Sequence, residues 1–390
     1  MRKNTMMHKI AVVIPKYGLV GGAEQFAAQL TDELSSRQAG TFQVFANAWK
    51  ADSRVQEFHK IPVISFPKFM TTISFAWFVE RRLARRDFSL VHSHERIFGA
   101  DLYTMHGVPH RYWVRSVRQK SPSLYDRATA WVERKLVCEG GCRKFVAVSN
   151  LTRDIFLQEY AVDPRRVAVI HPGVHPPDEN GRNKEETRLA VRSELGIAAD
   201  TPVIIFASMN FEIKGLDDII RTLAHLRRQG IAYKLIVAGK GNAKKYQKMA
   251  AQEGIADSVF FTGVVAKTRL IDLYWAGDLY LMLSKFDTFG MVVLEAMAGG
   301  LPVMISNRVG AKDLVQEGEN GFVIGQSQDY EYTASRLKLL LDEGLRRKMS
   351  AAALQTAAGN TWDRVAARYS DLYQEILEVK RSNRETDAGS

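Results

Sequence analysis

Ser284 to Ser306 reads S-K-F-D-T-F-G-M-V-V-L-E-A-M-A-G-G-L-P-V-M-I-S, and this stretch decides the fold. An apolar run, Leu279 to Leu283, stops where it begins, and a second short run, Val303 to Ile305, closes it. Between them Val292, Val293, Leu294, Ala296, Met297 and Ala298 have the length and composition of a buried helix. Gly299-Gly300 followed by Pro302 is a helix stop, because glycine accepts the left-handed cap and proline cannot continue the helix. Strand, loop, helix, strand is one βαβ crossover. Thr288-Phe289-Gly290 then lies at the carboxyl end of a strand and opens a helix, the place where doubly wound sheets bind ligands and free amides favour phosphate.

Two acids bracket this turn, Asp287 before it and Glu295 inside the helix. Eight residues are just over two helical turns, so both carboxylates can face one cleft. An isolated glutamate usually marks the wet face of a surface helix. Glu295 has apolar neighbours on both sides, and buried carboxylates are rare without partners. A carboxylate held to accept hydrogen bonds from a ligand's hydroxyls is the better reading.

Outward from this unit, the carboxy-terminal half alternates strands and helices from Pro202 onward. Val203 to Ala207, Lys234 to Ala238 and Val259 to Thr262 are short continuous apolar runs, the signature of parallel strands buried on both faces. Lys214-Gly215 precedes the helix Leu216 to Leu226, where a lysine can reach a diphosphate as a point charge. Gly239-Lys240-Gly241 follows a strand but lacks the third glycine and downstream acid of a dinucleotide fingerprint.

The amino-terminal half alternates in the same way. Lys9 to Ile14 is a strand, Pro15 to Gly22 a glycine-rich loop ending in Gly21-Gly22, and Ala23 to Leu34 a helix with apolar residues at helical spacing. Leu90 to Ser93 and Asp101 to Met105 are strands that end in His94 and His106, positions from which a histidine projects into a cleft. Arg143 to Ser149 and Val167 to His171 complete the set. Pro176 to Thr187 is polar and poor in apolar residues, the best linker candidate.

At 390 residues the chain is long enough for two cores, and 46% hydrophobic with 25% charged residues describes a soluble globular protein. The apolar run after the basic amino terminus is too short for a secretory signal, and nothing approaches a membrane span. Cys138 and Cys142 lack C-x-x-C spacing and read as free thiols. A net charge of +11 points to an anionic partner; zinc-finger spacing, RNP aromatics and zipper heptads are absent, so nucleic acid is not expected. Between Arg111 and Val137, arginines and lysines interleave with Tyr112, Trp113, Tyr125 and Trp131. That mixture suits either an amphipathic surface on anionic lipid or a solvated helix pair whose aromatics pack inward. Arg81, Arg82, Arg85 and Arg86 could share the same face.

The central stretch resembles the acid-x7-acid signature of the retaining nucleotide-sugar glycosyltransferases of family four (group 1). Their usual pattern E-x-F-G-x-x-x-x-E-A-x-A-x-G-x-P-V stands here as D-T-F-G-M-V-V-L-E-A-M-A-G-G-L-P-V, with Asp287 replacing the first Glu. G-G-A-E at Gly21, T-M-H-G at Thr104, V-S-N at Val148, P-G-V at Pro172, K-G at Lys214 and G-K-G at Gly239 follow the family order across nearly the whole chain. A narrower likeness, on G-A-D-L-Y at Gly99, is to lipopolysaccharide-core glucosyltransferases.

The resemblance implies an α/β GT-B fold: two Rossmann-like domains facing a cleft, with a carboxy-terminal helix crossing back to the first. The expected division is an acceptor-side domain at 1–175, a linker at 176–200, a nucleotide-sugar domain at 201–360, a return helix at 361–380 and a disordered tail at 381–390. It implies catalytic roles for His106, Lys214 and Asp287. Donor binding would fall to Gly21, Gly22, Gly239, Val264, the amides of Phe289, Gly290, Met291 and Val292, and the ribose-gripping Glu295. No metal and no cofactor are implied beyond a UDP-linked sugar donor of the UDP-glucose type. The acceptor would be a glycan or glycolipid, such as lipopolysaccharide core, used by a cytoplasmic enzyme peripheral on the inner face of the membrane. The rivals are a sugar-nucleotide epimerase of the same fold and a non-catalytic protein bound to an anionic membrane.

Overall fold

The computed structural model describes residues 8–19, 21–50, 55, 57–177 and 181–388. Part of the basic amino terminus, Val20 of the glycine loop and residues 178–180 of the expected linker lie outside the described residues. The chain divides into two units, Met1–Pro172 with Trp362–Ser390, and Gly173–Thr361.

The first unit contains β1 (Lys9–Val13), β2 (Lys16–Tyr17), β3 (Thr41–Ala46), β4 (Ala48–Trp49), β5 (Glu57–Lys60), β6 (Leu90–Ser93), β7 (Leu102–Met105), β8 (Lys144–Ala147) and β9 (Val167–Val169). Seven of these form one sheet in the order β5-β3-β1-β6-β7-β8-β9, and β2 pairs with β4 apart from it. Every pairing in the sheet is parallel. The second unit contains β10 (Val203–Ser208), β11 (Lys234–Gly239), β12 (Val259–Gly263), β13 (Leu279–Met282), β14 (Val303–Ser306) and β15 (Gly321–Ile324). These make an all-parallel sheet ordered β12-β11-β10-β13-β14-β15. Both are Rossmann-like. Val203 to Phe206 and Leu279 to Met282 have no exposed surface, as strands covered on both faces require.

Three strands of the two large sheets escape the apolar-run reading: β3, β5 and β15. The last two are edge strands with one neighbour each, and β5 reads Glu-Phe-His-Lys, the polar composition that keeps an edge from pairing with other chains.

Two expectations are corrected. The segment 176–200 is no free linker: it holds the helix Lys184–Glu194, which belongs to the second unit. The helix is polar because it docks by charge. Arg192, 2% exposed, donates to the carbonyls of Ala276 at 3.0 Å and Ala199 and Thr201 at 2.9 Å, and to Asp278 at 2.6 Å. One turn earlier, Arg188 reaches the other oxygen of Asp278 at 2.7 Å. These guanidinium groups satisfy the carbonyl end of the helix Lys267–Ala276, where cations are favoured. The second correction concerns the tail. The last helix runs Trp362–Ala388, through most of 381–390, because Arg, Glu and Lys sustain a helix and no breaker occurs before Gly389.

That helix returns to the first unit, as the sequence implied. Tyr369 and Tyr373 are buried on it. The Tyr373 hydroxyl lies 2.8 Å from His92 Nδ1, and the Tyr369 hydroxyl 3.0 Å from Thr104 Oγ1.

Candidate functional site

Each sheet reverses its strand order once, between β1 and β6 in the first unit and between β10 and β13 in the second. The loops leaving the carboxyl ends of such a pair diverge and leave a crevice. In the second unit these loops carry Lys214 and Asp287, 73 residues apart in sequence, and the Lys214 ammonium is paired with Asp287 Oδ2. Their side chains keep 21% and 15% of their surface exposed.

The turn is strapped on two sides. The Asp287 N–H donates to the Arg308 carbonyl at 2.9 Å, Gly310 N–H returns to the Asp287 carbonyl at 3.0 Å, and Ala311 N–H meets Phe289 O at 2.7 Å. Toward β10, Lys285 N–H donates to Ile213 O at 2.7 Å and Ser284 Oγ to the same oxygen at 3.0 Å. The Phe289 N–H donates to Asp287 Oδ1 at 3.3 Å. Gly290 caps the helix Met291–Ala298 with φ +90°, and a Cβ there would sit 3.2 Å from Asp287 Oδ2 and 3.1 Å from Val309. Only glycine takes this backbone without strain. Among the described residues no acceptor meets the amides of Gly290, Met291 and Val292.

Glu295 is half-buried in that helix, and its carboxylate makes no hydrogen bond or ion pair among the described residues. Burial raises its pKa above the ordinary glutamate value, opposed by the Lys267 ammonium. Val264, 63% exposed, follows the end of β12. Gly239 ends β11 for a structural reason: a Cβ there would fall 1.8 Å from the Ser208 carbonyl oxygen. The sequence reading overlooked Arg308, exposed in the loop that straps Asp287, and Met209, 55% exposed after β10. Their signal was position alone, two residues and one residue past a strand's carboxyl end.

In the first unit Gly22 opens the helix Gly22–Ser36, and Gln25 N–H donates to Gly21 O at 3.0 Å. The Gln25 side chain folds the glycine loop back, donating to Leu19 O at 3.0 Å. From this helix Phe26 meets the His106 ring edge-on, centroids 4.8 Å apart. His106 Nε2 is 2.9 Å from His94 Nδ1. Burial lowers the pKa of His106 to about 3, that of His92 to about 3, and that of His94 well below the ordinary value. All three imidazoles are neutral near pH 7. Thus Gly21, Gly22 and His106 gather on the first sheet, and Lys214, Gly239, Val264, Asp287, Phe289 to Val292 and Glu295 on the second.

The basic aromatic segment divides between its two readings. Val114, Val132 and Leu136 are buried, while Arg115 pairs with Glu159 at 2.5 Å and Arg118 with Asp126 at 3.0 Å. Trp131 and Leu124 stay exposed at 43% and 68%, beside exposed Arg111, Lys120, Arg127 and Arg134. The helix Met70–Leu83 packs against Leu124–Arg134 and exposes Trp77, with the Arg81 guanidinium 4.0 Å over its ring. Arg86 leaves this group for the sheet edge, donating to Glu57 at 3.2 Å. Among the described residues no helix is long and apolar enough to cross a membrane.

Comparison with known proteins follows this division. The Glycosyltransferase Family 4 model matches residues 20–177 and the Glycosyl transferases group 1 model residues 188–356. A D-inositol 3-phosphate glycosyltransferase of Streptomyces bingchenggensis is 27% identical over 318 residues, covering 74% of this chain and 67% of that protein. Among solved structures, WaaG, a glycosyltransferase involved in lipopolysaccharide biosynthesis, is similar with a TM-score of 0.77 and 22% identity, over 93% of this chain and 99% of its own. Anabaena HepE, solved in complex with UDP-glucose, gives 0.68 and 20% over 96% and 100%. At these identities the structural likeness is one of fold. With both family models met in order along one chain, and two Rossmann-like units beneath them, the protein belongs to the family 4, group 1 glycosyltransferases of GT-B fold.

Proposed function

We propose that the protein transfers a hexose, with retention, from a UDP-linked sugar of the UDP-glucose type to a glycan or glycolipid acceptor such as lipopolysaccharide core. The observation that carries this reading is Glu295: a carboxylate held in an apolar helix with no hydrogen-bond or ion-pair partner among the described residues, about one turn from three unbonded amides. The amides of Gly290, Met291 and Val292 receive the diphosphate, aided by the helix dipole. Glu295 accepts hydrogen bonds from the ribose hydroxyls and Asp287 from those of the sugar. Lys214, now on Asp287, offsets the charge that grows on the departing diphosphate. The bond from the sugar's anomeric carbon to the phosphate oxygen breaks, the acceptor oxygen bonds to that carbon on the same face, and its proton passes to the phosphate. No metal enters this scheme. For His106 and the Gly21-Gly22 turn the family pattern supports a role toward the sugar.

Donor binding tests it. A UDP-sugar panel should raise the thermal stability of the protein by mass action, about 2.7 kcal/mol at a hundred times Kd. Glu295→Ala should weaken the donor about 10- to 100-fold with the fold intact, the range for hydrogen bonds to a charged group. Unchanged affinity in a folded variant would reduce Glu295 to a structural residue. Product formed from the donor without acceptor would favour the epimerase.

An acceptor at an anionic membrane is supported by the surface of the first unit, where exposed Trp77, Leu124 and Trp131 stand among Arg81, Lys120, Arg127 and Arg134. Each cation near such a surface contributes about 1 kcal/mol. Sedimentation with anionic vesicles should show salt-sensitive binding, and neutral vesicles little. A variant with Ser at Arg111, Lys120, Arg127 and Arg134 that binds equally well would remove the membrane from the scheme. The inositol-phosphate relatives supply the competing acceptor, a soluble phosphorylated polyol, which belongs in the same assay.

A further inference from the structure

Behind His106 the first unit holds a histidine whose geometry has a chemical consequence. We infer that His94 sets the tautomer of His106, so that His106 carries its proton on Nδ1 and meets its surroundings as a neutral Nδ1–H donor. The 2.9 Å between His94 Nδ1 and His106 Nε2 holds one shared hydrogen. The remaining nitrogen of His94, Nε2, is buried with no hydrogen-bond partner, on a residue 5% exposed.

Two neutral arrangements are possible. If the hydrogen belonged to His106 Nε2, then His94 Nδ1 would accept, and His94 would carry its own proton on Nε2. That is a buried N–H facing no acceptor. If the hydrogen belongs to His94 Nδ1, its Nε2 is a bare lone pair. Orphaned buried N–H donors are rare, and under-satisfied acceptors are somewhat less so. The second arrangement therefore holds, and with Nε2 of His106 accepting, its proton must sit on Nδ1. Burial keeps both rings neutral, which removes the charged alternative.

The ring of His94 is fixed for this task. It lies edge to edge with His106 and nearly coplanar with it, centroids 5.2 Å and planes 18° apart, and is 4.1 Å from the His92 centroid. His92 is itself pinned at both nitrogens, 2.8 Å from Tyr373 and 2.8 Å from Thr104. His94 is thus a positioning residue, and a sugar that meets His106 Nδ1 is met by a donor, which takes a hydroxyl or phosphate oxygen. This last step rests on the reading of His106 as a sugar-side residue; the tautomer does not.

The test uses the full chain labelled with ¹⁵N-histidine, without substrates, in two-bond ¹H–¹⁵N correlation spectra at pH 7. Wild type should show His106 protonated at Nδ1 and bare at Nε2. His94→Asn, whose amide nitrogen can stand where Nδ1 stood, should keep that pattern, and His94→Leu should lose it. A wild-type His106 protonated at Nε2, or a folded His94→Leu with the pattern unchanged, overturns the inference. In transfer assays His94→Leu should lower kcat about five- to tenfold, the order of one neutral hydrogen bond, with donor Kd within about twofold and recovery in His94→Asn. The pattern changing as stated while kcat does not would uphold the tautomer and remove His106 from the sugar site.

Discussion

The two units put opposite chemistry at the same topological place. Each has loops diverging at the carboxyl ends of a strand pair where the order reverses. In the first, β6 leads into His94, which joins His106 from the neighbouring β7 in a neutral hydrogen bond. In the second, β10 and β13 lead into Lys214 and Asp287, which form an ion pair. The difference lies in the cover. Phe26 packs on both His94 and His106, and Trp362 and Tyr369 pack on Phe26, so water is excluded and the imidazoles lose their protons. Lys214 and Asp287 keep part of their surface wet, where an ion pair is affordable. Topology chooses the place for a site, and the packing around it chooses the charge.

The comparison can be broken most forcefully at Asp278, where charge also holds the second unit together. Asp278→Ala strands Arg192, which is 2% exposed, and should cost about 3–5 kcal/mol in denaturant unfolding. A cost below about 1 kcal/mol would mean that the helix Lys184–Glu194 docks by something other than these pairs.

Next in size is Asp287. Its carboxylate is one methylene shorter than the glutamate of the family pattern, and the strap to Arg308 and Gly310 fixes the backbone that carries it. Asp287→Ala should lower transfer about 10²-fold, the cost of a misplaced reacting group, with nucleotide affinity nearly intact. Asp287→Glu should retain some activity. Transfer by Asp287→Ala at the parent rate would give the sugar another holder.

The smallest effect per step, and the one that separates the units, is their response to acid. In the fold His92 stays neutral down to about pH 3, whereas in the unfolded chain it takes a proton below about 6.5. The unfolded state thus binds more protons throughout this window, and stability of the first unit falls as pH drops below 6.5. The slope is about 1.4 kcal/mol per pH unit for each such histidine. Asp278, held below the ordinary carboxylate range by Arg188 and Arg192 against the cost of burial, protects the second unit until pH falls below its unfolded value near 3.8. Hydrogen exchange at pH 5 against pH 7, corrected for intrinsic rate, should show earlier opening in the first unit only. Equal opening of both would end the distinction.

Much of this was legible in the sequence because parallel strands covered on both faces must be continuous apolar runs. Val203 to Ala207 and Leu279 to Leu283 announced themselves, as did the glycine turn that opens the helix after Asp287. The edge strand Glu57–Lys60 was not legible, since one partner and a wet side leave it polar. Nor was the helix Lys184–Glu194: a segment that docks through arginines has the composition of a linker. Arg308 and Met209 stayed hidden because an exposed residue one or two places past a strand has no pattern of its own.

By itself the sequence determined the two alternating βα blocks, the acid pair and the phosphate-type turn. These follow from hydrophobic period and glycine geometry, which are local. Only the tertiary structure decided the charges. Lys214 and Asp287 are 73 residues apart and became one ion pair. His94 and His106 are 12 apart and became one neutral hydrogen bond. The protonation of a side chain depends on how much water and which partner the folded chain leaves beside it, and neither is a property of neighbours in sequence.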